Sequence, residues 1–80
     1  MTDAVQQEIL RFICELKPGH AGIGADTDLI GGGILDSLAV LQLVMFLSKT
    51  FAVTLPARDL TPANLKSAAA IAKLVEARRA

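Results

Sequence analysis

An aspartate and a serine stand side by side where a glycine-rich stretch meets an apolar segment, in the run GGGILDSLAV of residues 31–40. A serine hydroxyl is a poor nucleophile until a neighbouring base activates it, and histidine is the usual base. The chain has one histidine, His20, and no third residue that would evidently orient it. The pair Asp36-Ser37 therefore indicates either a functional serine or an ordinary helix N-cap, because both residue types favour that position.

The other reactive groups and the charge balance exclude several functions. The single cysteine, Cys14, excludes an internal disulfide, and no Cys/His cluster offers a metal site. Cys14 lies on the polar side of a predicted helix near its C-terminal end, where the helix dipole opposes a thiolate, so we interpret it as an incidental thiol. Eight basic residues balance eight acidic ones, so neither nucleic acid nor an anionic membrane is an expected partner.

The two ends of the chain and its hydropathy give an expectation for its setting. The opening MTDAVQQEIL is too polar for a secretory signal, and no run approaches the roughly 18 apolar residues of a membrane span. Met1 and the absence of flanking linkers favour a free-standing protein over an excised domain. We therefore expect a cytoplasmic monomer.

The composition favours packed helices. Hydrophobic residues make up 52% of the 80, but with three Phe and no Trp or Tyr the core must come from Leu, Ile, Val and Ala. A chain of this length forms one domain, residues 1–80, with little room for a catalytic cleft. We predict an all-α four-helix bundle with three main helices, one short third helix and a long loop between helices 1 and 2.

Apolar spacing, glycine and proline define the first helix and the loop after it. Apolar residues recur at helical spacing over about residues 4–17, and the Pro-Gly pair that follows stops the helix. All six glycines fall within residues 18–36, which predicts a long loop. Leu29 or Ile30 is expected to anchor the middle of this loop on the core.

Oxygen-bearing side chains stand where the three later helices are predicted to begin, since such residues cap helix N-termini. They are Asp36 before a second helix of about residues 37–50, Thr61 before a short third helix opening with Pro62, and Ser67 before a final helix of about residues 68–79. In the final helix we expect Ile71, Leu74 and Val75 to face inward.

The second predicted helix is apolar on more than one side. At about 100° per residue its core face contains Val40, Leu43, Val44, Leu47 and Phe51. The other side contains Leu38, Leu41, Gln42, Met45 and Lys49. Either a crowded core covers this side too, or Leu38 and Met45 stay in solvent as a contact surface, as apolar patches rimmed by polar groups do. The surface formed by Leu38, Gln42, Met45 and Lys49, which we call the partner strip, is the candidate partner-binding site.

The order of these features resembles the acyl and peptidyl carrier protein family over nearly the whole chain. The features are a glycine-rich loop, Leu35-Asp36-Ser37-Leu38, an apolar helix, a proline, and the stretch DLTPANLKSAAAIAKLV. The resemblance implies a non-catalytic carrier whose Ser37 bears 4′-phosphopantetheine, with acyl or aminoacyl groups held on its thiol as thioesters. It also implies that Asp36 helps a phosphopantetheinyl transferase to position its metal ion. That transferase would supply the activating base.

The second helix departs from one branch of that family. Carriers of fatty acid synthesis are usually strongly acidic there, whereas this chain has Ala39, Gln42, Ser48 and Lys49. The sequence GGILDSL and the near-neutral helix resemble stand-alone carriers of specialised metabolism or envelope modification more than they resemble carriers of fatty acid synthesis. These receive their cargo from an adenylating ligase and pass it to acyltransferases. Three alternatives stay open: a fatty acid synthesis carrier, a helical interaction module with unmodified Ser37, and a small hydrolase pairing Ser37 with His20.

Overall fold

The structure, a computed structural model, describes residues 2–17, 19 and 22–79, except for the side chains of residues 2 and 3. Within these residues the helices are α1 (Thr2–Leu16), α2 (Ser37–Phe51), α3 (Pro62–Leu65) and α4 (Ala68–Arg79), and a 3-10 turn (Ala57–Asp59) precedes α3. The described ranges contain no strand, so the predicted all-α fold is confirmed. None of the helices described there is long and apolar enough to cross a membrane. The 3-10 turn was not predicted.

The core forms mainly between α1 and α4, which pack together more extensively than any other pair of helices. Val5, Ile9 and Ile13 follow each other at four-residue intervals on one face of α1 and are buried. The facing stripe of α4 consists of Ala68, Ile71, Ala72 and Val75. The expectation that Leu74 faces inward is therefore only partly right: it lies beside this stripe and is half-buried.

The core face of α2 is narrower than the sequence predicts. Leu43 and Leu47 are fully buried, and Ala39 joins them. The other predicted core residues are half-buried: Val40 and Phe51 pack against the core, and Val44 is half-buried as well. The helix ends at Phe51, and the C-cap residue Ala52 has a left-handed backbone with φ 55° and ψ 43°. A narrow buried face leaves much of the surface of α2 in solvent.

Backbone hydrogen bonds attach the long loop to the start of α4. The N–H of Leu29 donates to the carbonyl of Lys66 at 2.6 Å, and the N–H of Ala69 donates to the carbonyl of Ala25 at 3.0 Å. Leu29 is fully buried, which confirms that this residue anchors the middle of the loop. The loop therefore delivers the chain to the start of α2 from a fixed point on the core.

Two glycines are required by the turn between Leu29 and α2. A Cβ at Gly32 would lie 2.7 Å from the carbonyl oxygen of Asp28, a backbone atom that cannot move aside without changing the turn. Gly33 has φ 74°, in the left-handed region that favours glycine. The turn ends with Ile34 and Leu35, both buried, so that α2 begins directly above the core.

Candidate functional site

The site begins at the N-cap of α2, where Asp36 has extended backbone, with φ −96° and ψ −176°. Its Oδ1 accepts a hydrogen bond from the N–H of Ala39 at 2.8 Å. Its carbonyl accepts one from the N–H of Val40 at 2.9 Å. The prediction that Asp36 caps this helix is confirmed. Because Asp36 performs the capping, the residue after it has no structural task in starting the helix.

Ser37 is that residue, the first of α2, and its side chain is exposed. No hydrogen bond of its hydroxyl is present in the part of the chain that the structure describes. The first N–H groups of a helix lack partners within the helix and carry the positive end of its dipole. A negatively charged group attached to Ser37 would therefore lie where anions are stabilised.

Lys17 contributes a positive charge to the same place. Its Nζ lies 3.6 Å from Asp36 Oδ2. The pKa of Asp36 is lowered from its ordinary value of 3.8, chiefly because the carboxylate accepts a hydrogen bond from the Ala39 N–H. Partial desolvation raises this pKa, and the positive charge of Lys17 lowers it. Asp36 is thus ionised at neutral pH. The ion pair joins the end of α1 to the start of α2 across the loop.

An open groove of about 530 Å³ runs beside Ser37, between the start of α2 and α3. Most of its lining side chains are apolar. They are Ile30, Leu35, Asp36, Ser37, Val40, Leu60, Pro62 and Leu65. Such a surface favours contact with an apolar or amphipathic group attached at its edge, because the contact removes apolar area from water.

The wall of this groove opposite α2 is held by polar contacts. The side chain of Arg78, from α4, donates to Asp59 Oδ2 through both Nε, at 2.7 Å, and Nη2, at 2.6 Å. Asn64 Nδ2 donates to the carbonyl of Asp59 at 2.8 Å, and Thr61 caps α3 by accepting the N–H of Asn64 at 3.2 Å. These contacts fasten the 3-10 turn and α3 to α4, and they fix the position of the groove wall.

The partner strip is exposed along its whole length. Leu38 is 63% exposed and Met45 is 64% exposed, so the crowded-core alternative for this side of α2 is wrong. Leu41 lies beside the strip and is 57% exposed. Gln42 and Lys49 are exposed as well. The structure thus leaves three large apolar side chains of one helix in water.

Of two other residues that the sequence singled out, one lies apart from this site and the other lies outside the described residues. Cys14 is exposed on α1, as expected for the polar side of that helix. His20 lies outside the described residues, so its pairing with Ser37 stays a prediction. Conversely, sequence reasoning missed Lys17 and the groove residues of α3. Lys17 is nineteen positions from Asp36, and no local pattern marks such a pair.

The comparisons with known proteins agree with this geometry. The family described as the phosphopantetheine attachment site matches residues 7–75. The chain therefore belongs to that family, and it is a phosphopantetheine carrier. Proteins of this family hold 4′-phosphopantetheine covalently on a serine. None of the curated proteins compared with the chain matches it.

The start of α2 fits this prosthetic group. When bound, the group supplies a flexible arm ending in a thiol. Its negatively charged phosphate suits the exposed helix start and the nearby Lys17, and its arm has an apolar groove beside it. Ser37 offers a hydroxyl that is exposed and whose loss breaks no hydrogen bond within the described residues.

Proposed function

We propose that Ser37 is the serine to which 4′-phosphopantetheine is attached. The observation that supports this proposal is that the two residues at the start of α2 have separate roles, which we call the division of labour there. Asp36 caps the helix, and Ser37 is exposed beside it with no hydrogen bond in the described ranges. In the attachment reaction the Ser37 Oγ forms a bond to phosphorus and loses its proton. The phosphoanhydride bond of coenzyme A breaks, and adenosine 3′,5′-bisphosphate leaves.

A phosphopantetheinyl transferase must supply the base for this reaction. No basic side chain contacts the Ser37 hydroxyl within the described part of the chain, and a serine hydroxyl is a poor nucleophile without such a base. Asp36 keeps Oδ1 in the cap and turns Oδ2 towards Lys17 and solvent. We assign Asp36 the role of helping the transferase to position its metal ion, as the family resemblance implies. The carrier itself is then a substrate and not a catalyst.

The cargo is an acyl or aminoacyl group held on the thiol, loaded by an adenylating ligase of specialised metabolism or envelope modification. This assignment of the cargo and the ligase is supported by the composition of the partner strip. The partner strip carries two exposed apolar side chains and one cation, Lys49, but no carboxylate. Apolar contact there, rather than attraction to an acidic helix, would select the ligase and the downstream acyltransferases. The protein is expected to work as a single carrier domain over residues 1–80, as a cytoplasmic monomer.

Intact mass after incubation with a broad-specificity transferase and coenzyme A tests the proposal. The wild-type chain should gain one phosphopantetheine, and Ser37→Ala should gain none. Ser48→Ala is the matched control, because Ser48 is an exposed serine of the same helix, and it should be modified like the wild type. A wild-type mass that does not change would overturn the carrier role proposed for Ser37 and favour an unmodified interaction module.

Two further measurements separate the alternatives. Fatty acid synthase enzymes should use the modified protein poorly, and efficient use would instead support a fatty acid synthesis carrier. Mixing with an activated ester tests the hydrolase alternative: turnover that disappears in Ser37→Ala and His20→Ala would support it. Intact mass of the protein from its own host would identify the cargo.

A further inference from the structure

Lys17 holds a position at the candidate site that the proposed function does not yet use. Residues 1–36 contain six carboxylate side chains but only two cationic ones, Arg11 and Lys17. Arg11 is exposed on α1 and pairs with Glu8 at 3.4 Å in the preceding turn of the same helix. Lys17 is therefore the cation that this acidic half of the chain brings to the start of α2.

The contact between Lys17 and Asp36 leaves the lysine with unused capacity. The distance of 3.6 Å between Lys17 Nζ and Asp36 Oδ2 is longer than a hydrogen bond. An ammonium group has three N–H donors on a flexible stem, so it can hold more than one acceptor. The side chain of Lys17 is 30% exposed and that of Asp36 is 62% exposed, so a further acceptor can reach both from solvent.

Attachment at Ser37 would place a second negative charge one residue from Asp36. Two like charges at this separation disfavour each other, and a cation between them offsets that repulsion. We propose that Lys17 is a positioning residue for the prosthetic group, and that its ammonium is shared between Asp36 and the phosphodiester once the group is attached to Ser37. Sharing fixes the phosphate end of the arm against α1. This inference rests on the proposed attachment at Ser37.

The test compares unmodified and modified forms of four proteins by urea unfolding at low salt: wild type, Lys17→Met, Lys17→Arg and Lys73→Met. The ratio of the folding equilibrium constants of the modified and unmodified forms should be about 1.5-fold to fivefold smaller for Lys17→Met than for wild type. This is the range expected for the loss of an exposed ion pair. Lys17→Arg should restore most of this difference, because it keeps the charge. Lys73→Met should match wild type, since Lys73 is exposed on α4 without an ion pair in the described ranges. Molar salt should remove the difference.

A second readout follows Lys17 itself. In the wild-type protein, attachment should shift the NMR signals of the Lys17 side-chain Cε and Hε, and it should leave those of Lys73 unmoved. If the wild type gains no phosphopantetheine, the proposed function fails and this inference fails with it. If the wild type and Lys17→Met are both modified and stabilised equally, and the Lys17 signals do not move, this inference alone is overturned.

Discussion

The N-termini of α2 and α4 are both capped by a side-chain oxygen, but the two caps lie in different surroundings. At α2, Asp36 Oδ1 accepts the N–H of Ala39 at 2.8 Å, and at α4, Ser67 Oγ accepts the N–H of Ala70 at 3.1 Å. The surroundings of the two caps are opposite. Ser67 is 7% exposed and inside the protein. At α2 both the cap and Ser37 after it are exposed. A serine at a helix start is therefore structural in one place and free in the other.

The difference comes from what approaches each helix start. The loop crosses the start of α4 and bonds to it through Ala25 and Leu29, which covers Ser67. The start of α2 faces Lys17, the residue directly after α1, and the open groove towards α3. A serine hydroxyl that is buried, as at the start of α4, needs a hydrogen-bond partner within the protein. A serine hydroxyl that is exposed, as at the start of α2, is available to another molecule.

The largest effects should appear where the exposed side of α2 is truncated. Leu38→Ala and Met45→Ala should weaken loading by the cognate ligase by about 1–3 kcal/mol, the loss typical of buried interface anchors. Folding should barely change, because both side chains are in solvent in the free protein. Kinetics of ligase loading and urea unfolding of the same samples check the two halves of this expectation. Lys73→Ala, on the exposed face of α4, serves as the control.

A salt series sharpens that experiment. Since the partner strip contains a cation and no acid, loading should depend only weakly on ionic strength. Loading at wild-type rates by both variants, or a steep loss of wild-type loading with salt, would place recognition on another surface.

The turn leading into α2 should be the next most sensitive point. Gly33→Ala forces an L-residue into the left-handed backbone at φ 74°, which costs about 1–2 kcal/mol of unfolding free energy. Gly24→Ala is the matched control, because a Cβ there meets only Thr27 Oγ1 at 3.9 Å and the backbone is ordinary. Urea unfolding measures both. Equal stability of the two variants would show that the turn relaxes without cost.

The two serines should separate cleanly in stability. Ser67→Ala removes the cap of α4 and should cost about 1 kcal/mol of unfolding free energy. Ser37→Ala should cost close to nothing, because Asp36 still caps α2. Intact mass should give the reverse order, with Ser67→Ala modified and Ser37→Ala unmodified. Comparable destabilisation by both substitutions would contradict the division of labour at the start of α2.

The smallest effect should be the pH dependence that distinguishes a charged cap from a neutral one. The pKa of Asp36 is lowered in the folded protein, so its ionised form favours folding above the unfolded pKa of about 4, and that contribution is lost as pH falls through the folded pKa. Asp36→Asn keeps a capping oxygen without the charge. Its stability deficit against wild type should hold above about pH 4 and shrink below. The deficit of Ser67→Ala should show no such trend; an Asp36→Asn deficit that persists unchanged to pH 2 would exclude a contribution from the charge.

Local features of this chain were predictable from its sequence alone. The caps Asp36, Thr61 and Ser67 each act on an amide three residues ahead, so the interaction is contained in a few consecutive residues. The bounds of α1, α2 and α4 were predicted to within two residues from apolar spacing, caps and the Pro-Gly pair. The order of the glycine-rich loop, the Leu-Asp-Ser-Leu motif, the apolar helix and the stretch after it indicated the family, which the match over residues 7–75 confirms.

Only the tertiary structure decided which surfaces of those elements are covered. Helical spacing gives the angle of each side chain around the helix axis but not how many neighbours pack on that side. The sequence therefore allowed Leu38 and Met45 to be either buried or exposed, and it predicted more burial for Leu74 than the structure shows. Lys17 reaches Asp36, and α3 lines the groove beside Ser37, only because α1 and α3 are held around the core. These contacts join residues far apart in the chain, and chain spacing does not encode their distance in space.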